Sequence, residues 1–323
     1  MLYGKTKYGN IVSAVDAFKE LDYYCPLCRQ KLTLKQGLYK SAHFAHRGQN
    51  CNYKEETYAH YQAKYALGQQ LKELGYCVQI EPYLKQSHQI PDILINNKII
   101  LEIQCSPITI KLLQRRTNTY ERLGYIVIWI IEDDIRHNEL ITLNGFQSAC
   151  IIPNKLKLFL WNNELQSLIC LKNLIAIGGN RFLGEKIKVN ISEFFDDDKM
   201  KSKHYKLTNN SIQQFLKQCR SKRSVIEPSL SVMYNLKLSD TWVLQNLGFI
   251  FPEQIYLKSH PIFWQLQLLK LLMQKSYSLS LFMQAIDFRK FAYSHIQYEQ
   301  IVSQLVQQFE RQFSNFKGNN VQK

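Results

Sequence analysis

The stretch Ile90–Gln104 constrains this chain more than any other. Two apolar, β-prone runs, Ile93-Leu94-Ile95 and Ile99-Ile100-Leu101, are separated by Asn96-Asn97-Lys98 and flanked by two acids, Asp92 after Pro91 and Glu102 before Ile103-Gln104. Strands of this kind are built for burial, and a carboxylate within one costs several kcal/mol unless it is paired or binds a metal. A two-residue turn at 96–97 would set Asp92 opposite Leu101 and send Glu102 to the other face. A three-residue turn at 96–98 sets Asp92 directly opposite Glu102, with Gln104 on the same face. The second arrangement is expected, with Asn97 in a left-handed conformation.

The surroundings read as an α/β core. Residues 54–75 repeat Tyr58, Tyr61, Tyr65, Leu67, Leu71 and Leu74 at helical steps before Gly75. Strands are expected at 76–84, 90–95 and 99–104, a helix at 109–123, and a strand at 125–131 whose unbroken apolar run argues burial on both faces. Weaker strand signals follow at 151–152, 156–161 and 165–171, then a turn at Gly178-Gly179. From Trp242 to Phe316, Leu, Gln and aromatics recur at helical spacing. The expected domains are 1–53, 54–172 and a basic, mainly helical 173–323.

Within the helix at 54–75, Glu56, His60 and Lys64 lie at i, i+4 and i+8 and share one face that leads into the acidic strands. Upstream, Cys25-x-x-Cys28 and His43-x-x-His46 have the composition of a structural zinc site, with Cys51 as an alternative ligand. The net charge of +15 favours a polyanionic partner, most simply nucleic acid. Lys199, Lys201, Lys203, Lys206, Lys217, Arg220, Lys222 and Arg223 fall in a stretch free of acids, where Tyr205 and Phe215 are placed to stack on bases. No secretory signal or membrane span is expected, and eight scattered cysteines fit the reducing cytoplasm.

Pro91-Asp92…Glu102-x-Gln104 on such a core resembles the PD-(D/E)XK nuclease superfamily. More closely, Glu102-Ile-Gln-Cys-Ser106, Arg116-Thr117-x-x-Tyr120, Gly124-Tyr125 and Trp129, preceded by His43-Phe-Ala-His46 and His60-x-x-x-Lys64, resemble the competence protein CoiA family. The resemblance implies a restriction-endonuclease-like core, a zinc-finger-like N-terminal segment, and a role in recombining incoming single-stranded DNA during natural transformation. By that analogy Asp92 and Glu102 are the carboxylates for Mg²⁺ or Mn²⁺ in phosphodiester hydrolysis, with Glu56 as a further oxygen ligand. Gln104 stands where the superfamily has Lys, and Lys64 is the expected substitute cation. His60 is a candidate base, and Ser106 and Arg116 are candidate phosphate contacts. Expected partners are DNA and a recombinase or other competence proteins. The alternative, from a different class, is a DNA-binding recombination mediator whose site no longer cleaves.

Overall fold

The computed structural model describes residues 3–26, 29–37, 40–46, 58–135, 140–191, 205–224 and 226–320. Its N-terminal part is a five-stranded antiparallel sheet: β1 (Tyr3–Thr6), β2 (Ile11–Ser13), β3 (Tyr23–Tyr24), β4 (Lys31–Gly37) and β5 (Lys40–His46), in the order β2-β1-β3-β4-β5. Tyr23, Leu32 and Phe44 form its small core together with the buried Cys25.

A second, mixed sheet positions the acids. After helix α1 (Tyr58–Glu73) come β6 (Val78–Ile80), β7 (Ile93–Ile95), β8 (Ile99–Gln104), helix α2 (Ile110–Arg122) and β9 (Ile126–Glu132). Strand β10 (Ile141–Thr142), helix α3 (Gly145–Ala149), β11 (Leu158–Asn162), β12 (Ser167–Ala176) and β13 (Arg181–Lys188) complete an eight-stranded order β10-β13-β12-β11-β9-β8-β7-β6. Strand β9 is parallel to both its neighbours, and α2 is the crossover that a parallel β8–β9 pair requires. As its composition predicts, β9 is buried on both sides. Val127, Trp129 and Ile131 meet Leu113 and Tyr120 of α2, and Ile130 faces the layer containing Ala63, Leu67 and Leu71 of α1. The domain boundary expected at 172 falls inside β12. The sheet continues through β13, whose half-exposed charged residues give little apolar signal.

Beyond the sheet, a short ribbon pairs β14 (Tyr205–Lys206) with β15 (Phe249–Ile250). Helices α4 (Asn209–Ser221), α5 (Pro228–Asn235), α6 (Asp240–Asn246), α7 (Pro261–Met273), α8 (Leu279–Gln284) and α9 (Tyr298–Asn320) pack around Trp264, Leu266, Phe282 and Phe309. Arg289 ties this layer to the sheet. Its buried guanidinium donates to the carbonyls of Ile255 (3.0 Å) and Gly179 (2.7 Å) and to Asn180 Oδ1 (3.0 Å), and it lies 4.5 Å over the Phe182 ring. Among the described residues, no helix is long and apolar enough to cross a membrane.

Candidate active site

The register of β7 and β8 decides how the acids meet. Ile93 pairs with Leu101 and Ile95 with Ile99, so the next rung sets Asp92 opposite Glu102, as the three-residue connection requires. The connection is a turn closed by Lys98 N–H to the Ile95 carbonyl (2.9 Å), with Lys98 as one extra residue. Asn96 and Asn97 both adopt positive φ (49° and 53°), which Asn tolerates better than other non-glycine residues. Their side chains are used as well. Asn96 Oδ1 accepts from Cys77 N–H (3.0 Å), and Asn97 Oδ1 accepts from Gln79 Nε2 (2.9 Å).

A third acid stands on the same rung. Strand β6 pairs Ile80 with Ile93, and Glu81 N–H then donates to the Asp92 carbonyl (2.9 Å). Glu81 and Asp92, next to the ends of β6 and β7, thus line up with Glu102 inside β8; the three are 2%, 9% and 1% exposed respectively. Strand alternation alone would put Glu81 on the side of Gln79. A φ of +50° turns it instead toward α1, where its carboxylate pairs with Lys64 at 2.5 Å. Sequence reading missed Glu81, although an acid closing the run Val78-Gln-Ile and followed by Pro82 is the same signal that singled out Asp92 and Glu102.

Each acid meets a different basic side chain. Asp92 Oδ2 lies 3.2 Å from His60 Nε2 and accepts from the Ile103 N–H at 2.8 Å. Burial works to raise the Asp92 pKa, but His60, Lys64 and Arg116 outweigh it and hold this carboxyl well below the usual range. Both Glu102 oxygens accept from Arg116 Nη2, at 2.7 and 2.8 Å. Burial, with the neighbouring Asp92 charge adding to it, nevertheless outweighs Arg116 and pushes the Glu102 pKa up to about 7. Arg116 therefore serves Glu102 directly, although it was expected to contact phosphate.

The residues around Arg116 account for the Arg-Thr-x-x-Tyr helix motif. Arg116 and Tyr120 are one turn apart on α2, with Nη2 3.4 Å from the phenol oxygen. The guanidinium lies 5.8 Å over Trp129, the register partner of Glu102, and Trp129 Nε1 donates to Thr117 Oγ1 at 2.9 Å. The motif is the packing that supports one buried carboxylate.

Other expected site residues divide into four groups. Gln104 Nε2 donates to the Ser106 carbonyl at 2.8 Å, and Ser106 is exposed. The cap of α2 is Thr109, accepting from Leu112 N–H. Lys217, Arg220, Lys222 and Arg223 are exposed at and beyond the second half of α4, with Arg220 paired to Asp240 at 2.6 Å and Lys222 to Glu227 at 3.3 Å. Glu56, Cys28, Cys51, Lys199, Lys201 and Lys203 lie outside the described residues. Cys25 begins a chain reversal, with Arg29 N–H donating to its carbonyl (2.9 Å) and its own N–H to the Gln30 carbonyl (2.8 Å). His43 and His46 sit on β5. Among the described residues, no three His, Cys, Asp or Glu side chains gather as a metal-binding group.

A mixed sheet carries a row of buried acids with basic side chains from both flanking helices, and the family comparison places it in a nuclease-like domain. The family model for the competence protein CoiA nuclease-like domain matches residues 56–204, and that for the CoiA N-terminal domain matches residues 11–54. The chain belongs to the competence protein CoiA family. It is similar to a protein named Competence protein CoiA from Bacillus subtilis (strain 168), 32% identical over 119 residues. That match covers 35% of this chain and 32% of the relative, so the chain spans about a third of the length of the relative it matches. No solved structure matches the chain.

Proposed function

We propose that the chain is a metal-dependent nuclease acting on DNA during natural transformation, with Asp92 and Glu102 as its metal-binding carboxylates. The observation that carries this reading is the shared rung: two buried carboxylates directly opposite each other on adjacent strands. Two carboxylates suit Mg²⁺ or Mn²⁺, which usually complete their shell with water and phosphate oxygens. The Glu102 oxygens, each accepting one hydrogen bond from Arg116, keep lone pairs for such an ion. When bound, a divalent ion supplies an activated water and positive charge against the phosphate.

The chain's own groups contribute around it. Lys64 and Arg116 add positive charge on either side of the acids and offset the negative charge that grows on phosphate during attack. His60 Nε2, against Asp92, is placed to hold or give a proton. Glu81 fixes the Lys64 ammonium, and Gln104 braces the chain at Ser106. The same reading includes a structural zinc held by Cys25 with ligands drawn from Cys28, His43, His46 and Cys51. The chain reversal at Cys25 supports it, and metal analysis of the purified protein tests it.

A second reading has its own support. Each acid on the rung already has a basic protein partner, and the position that carries Lys in the superfamily is a neutral Gln. A site balanced in this way suits a DNA-binding recombination mediator that does not cleave and works with a recombinase or other competence proteins. Cleavage of single-stranded and plasmid DNA with Mg²⁺ or Mn²⁺ separates the two readings. The nuclease reading expects activity in wild type that falls at least a hundredfold in Glu102→Gln and Asp92→Asn, both verified as folded. No cleavage by wild type across metals and substrates supports the mediator.

A further inference from the structure

Phe215 and Tyr205 were expected to stack on bases, and both instead pack within their own layer: Phe215 lies on His260 with ring centres 4.0 Å apart, and Tyr205 lies against the helical core. Side chains of the β6–β7 connection cross from one layer to another. Ile90 is buried in the core of the N-terminal sheet with Tyr23, Leu32 and Phe44, and Tyr83 packs against the same cluster. This connection, residues 82–91, links two of the three acids of the rung: Glu81 stands before it and Asp92 after it.

The connection is closed on itself. Glu81 N–H donates to the Asp92 carbonyl and Leu84 N–H to the Gln89 carbonyl, each at 2.9 Å, and the Tyr83 phenol oxygen lies 2.8 Å from His88 Nδ1. Leu84 packs against the α2 side of the large sheet, whereas Tyr83 and Ile90 pack against the N-terminal sheet. Within residues 90–94 the chain then anchors in three layers: Ile90 in the N-terminal core, Ile93 in the layer of α1 and Leu94 in the layer of α2. Asp92 lies between these anchors. The buried Pro91, its φ fixed by the ring, leaves little slack between Ile90 and the acid. The Asp92 carboxylate in turn accepts the N–H of Ile103, the residue after Glu102, at 2.8 Å. A shift at Ile90 therefore reaches both acids.

We propose that Ile90 is a positioning residue for the acidic site, and that the N-terminal sheet, through Ile90 and Tyr83, holds Asp92 opposite Glu102. The N-terminal sheet is then a part of the site rather than a separate module, and its packing sets how tightly the two carboxylates hold a divalent ion. The consequence for metal rests on the reading of Asp92 and Glu102 as metal-binding carboxylates, whereas the positioning is read without metal.

Hydrogen exchange of the metal-free full chain, resolved to single amides, tests the positioning at the Ile103 N–H, whose acceptor is the Asp92 side chain. Ile90→Ala speeds exchange at Ile103 by about tenfold while the amides of β11 keep their wild-type rates, and Ile90→Val restores most of the protection. Phe44→Leu, a change within the N-terminal sheet, moves Ile103 in the same direction and carries the test if Ile90→Ala does not fold. Unchanged exchange at Ile103 in these variants, or a rise shared equally by β11, overturns the proposal. Mn²⁺ binding followed by electron paramagnetic resonance, counted only where Asp92→Asn abolishes it, reads the consequence: Ile90→Ala weakens it by about tenfold. Equal Mn²⁺ affinity in wild type and Ile90→Ala overturns the control of metal binding by the N-terminal sheet. Wild type that binds no Mn²⁺ at the acids, with Ile103 still responding, overturns the metal reading and supports the positioning.

Discussion

Lys64 and Glu81 give the sharpest energetic test of the cluster. Their side chains are 1% and 2% exposed, so solvent screens the pair little. Removing one partner of a buried pair costs about 3–5 kcal/mol because the other is left charged and unpaired. The two single variants are not equivalent here. In Glu81→Gln the ammonium still feels the Asp92 carboxylate, which registers Lys64 in its own lowered pKa, and the loss falls near the lower limit, about 3 kcal/mol. In Lys64→Met the Glu81 carboxylate loses its cation, and the loss lies nearer about 5 kcal/mol. For a domain of this size, about 3 kcal/mol corresponds to a Tm lower by about 6–12 °C. The double variant Lys64→Met/Glu81→Leu removes both charges and returns to within about 2 kcal/mol of wild type, since apolar replacement of such pairs is often neutral. Urea and thermal unfolding followed by circular dichroism measure all three. Single variants within about 1 kcal/mol of wild type, or a double variant worse than the sum of the singles, would show that the Lys64–Glu81 pair is not a buried, mutually dependent one.

Two further outcomes follow from the same geometry. In the metal-free protein Glu102 keeps its proton up to about pH 7, against 4.5 for the ordinary group. The folded state therefore binds more protons than the unfolded chain between these values, and this residue's contribution to stability declines as pH rises from about 5 to 7. Asp92, whose pKa is lowered, acts in the opposite sense: its contribution is present above its ordinary value of 3.8 and is lost in stronger acid. Glu102→Gln cannot ionise, so urea midpoints measured at pH 5, 6 and 7 lose the decline it causes, and an unchanged slope would assign the decline elsewhere. At Arg289, Lys cannot reproduce three directed hydrogen bonds and a stacked guanidinium. Arg289→Lys is therefore expected to cost about 2–4 kcal/mol and to expose the Gly178–Arg181 turn to limited proteolysis. Wild-type protease resistance would show that the clasp is dispensable.

The hairpin was legible in the sequence because both its strands and its turn carry strong local chemistry. Ile93-Leu-Ile and Ile99-Ile-Leu have no other good use, and two Asn followed by Lys fit a turn that needs positive φ. Strand β9 was legible for the same reason. Glu81 was not, because a left-handed residue at the end of a strand reverses the face that alternation assigns. The Arg116–Glu102 pair required knowing that α2 crosses over the sheet and lays its middle turn above Glu102, a tertiary fact with no local signature. Strand β13 was missed because Arg181-Phe-Leu-Gly-Glu-Lys-Ile-Lys is half-exposed and highly charged. The Phe215 reading failed because the ring finds His260, far along the chain.

Sharing of one divalent ion by Asp92 and Glu102 is open to direct measurement. Anomalous diffraction from crystals of the full chain grown with Mn²⁺ and a short oligonucleotide measures this directly. A Mn²⁺ peak is expected within bonding distance of both carboxylates, with Lys64 still bound to Glu81. Manganese found only elsewhere, with Asp92 and Glu102 still closed by His60 and Arg116, would contradict it.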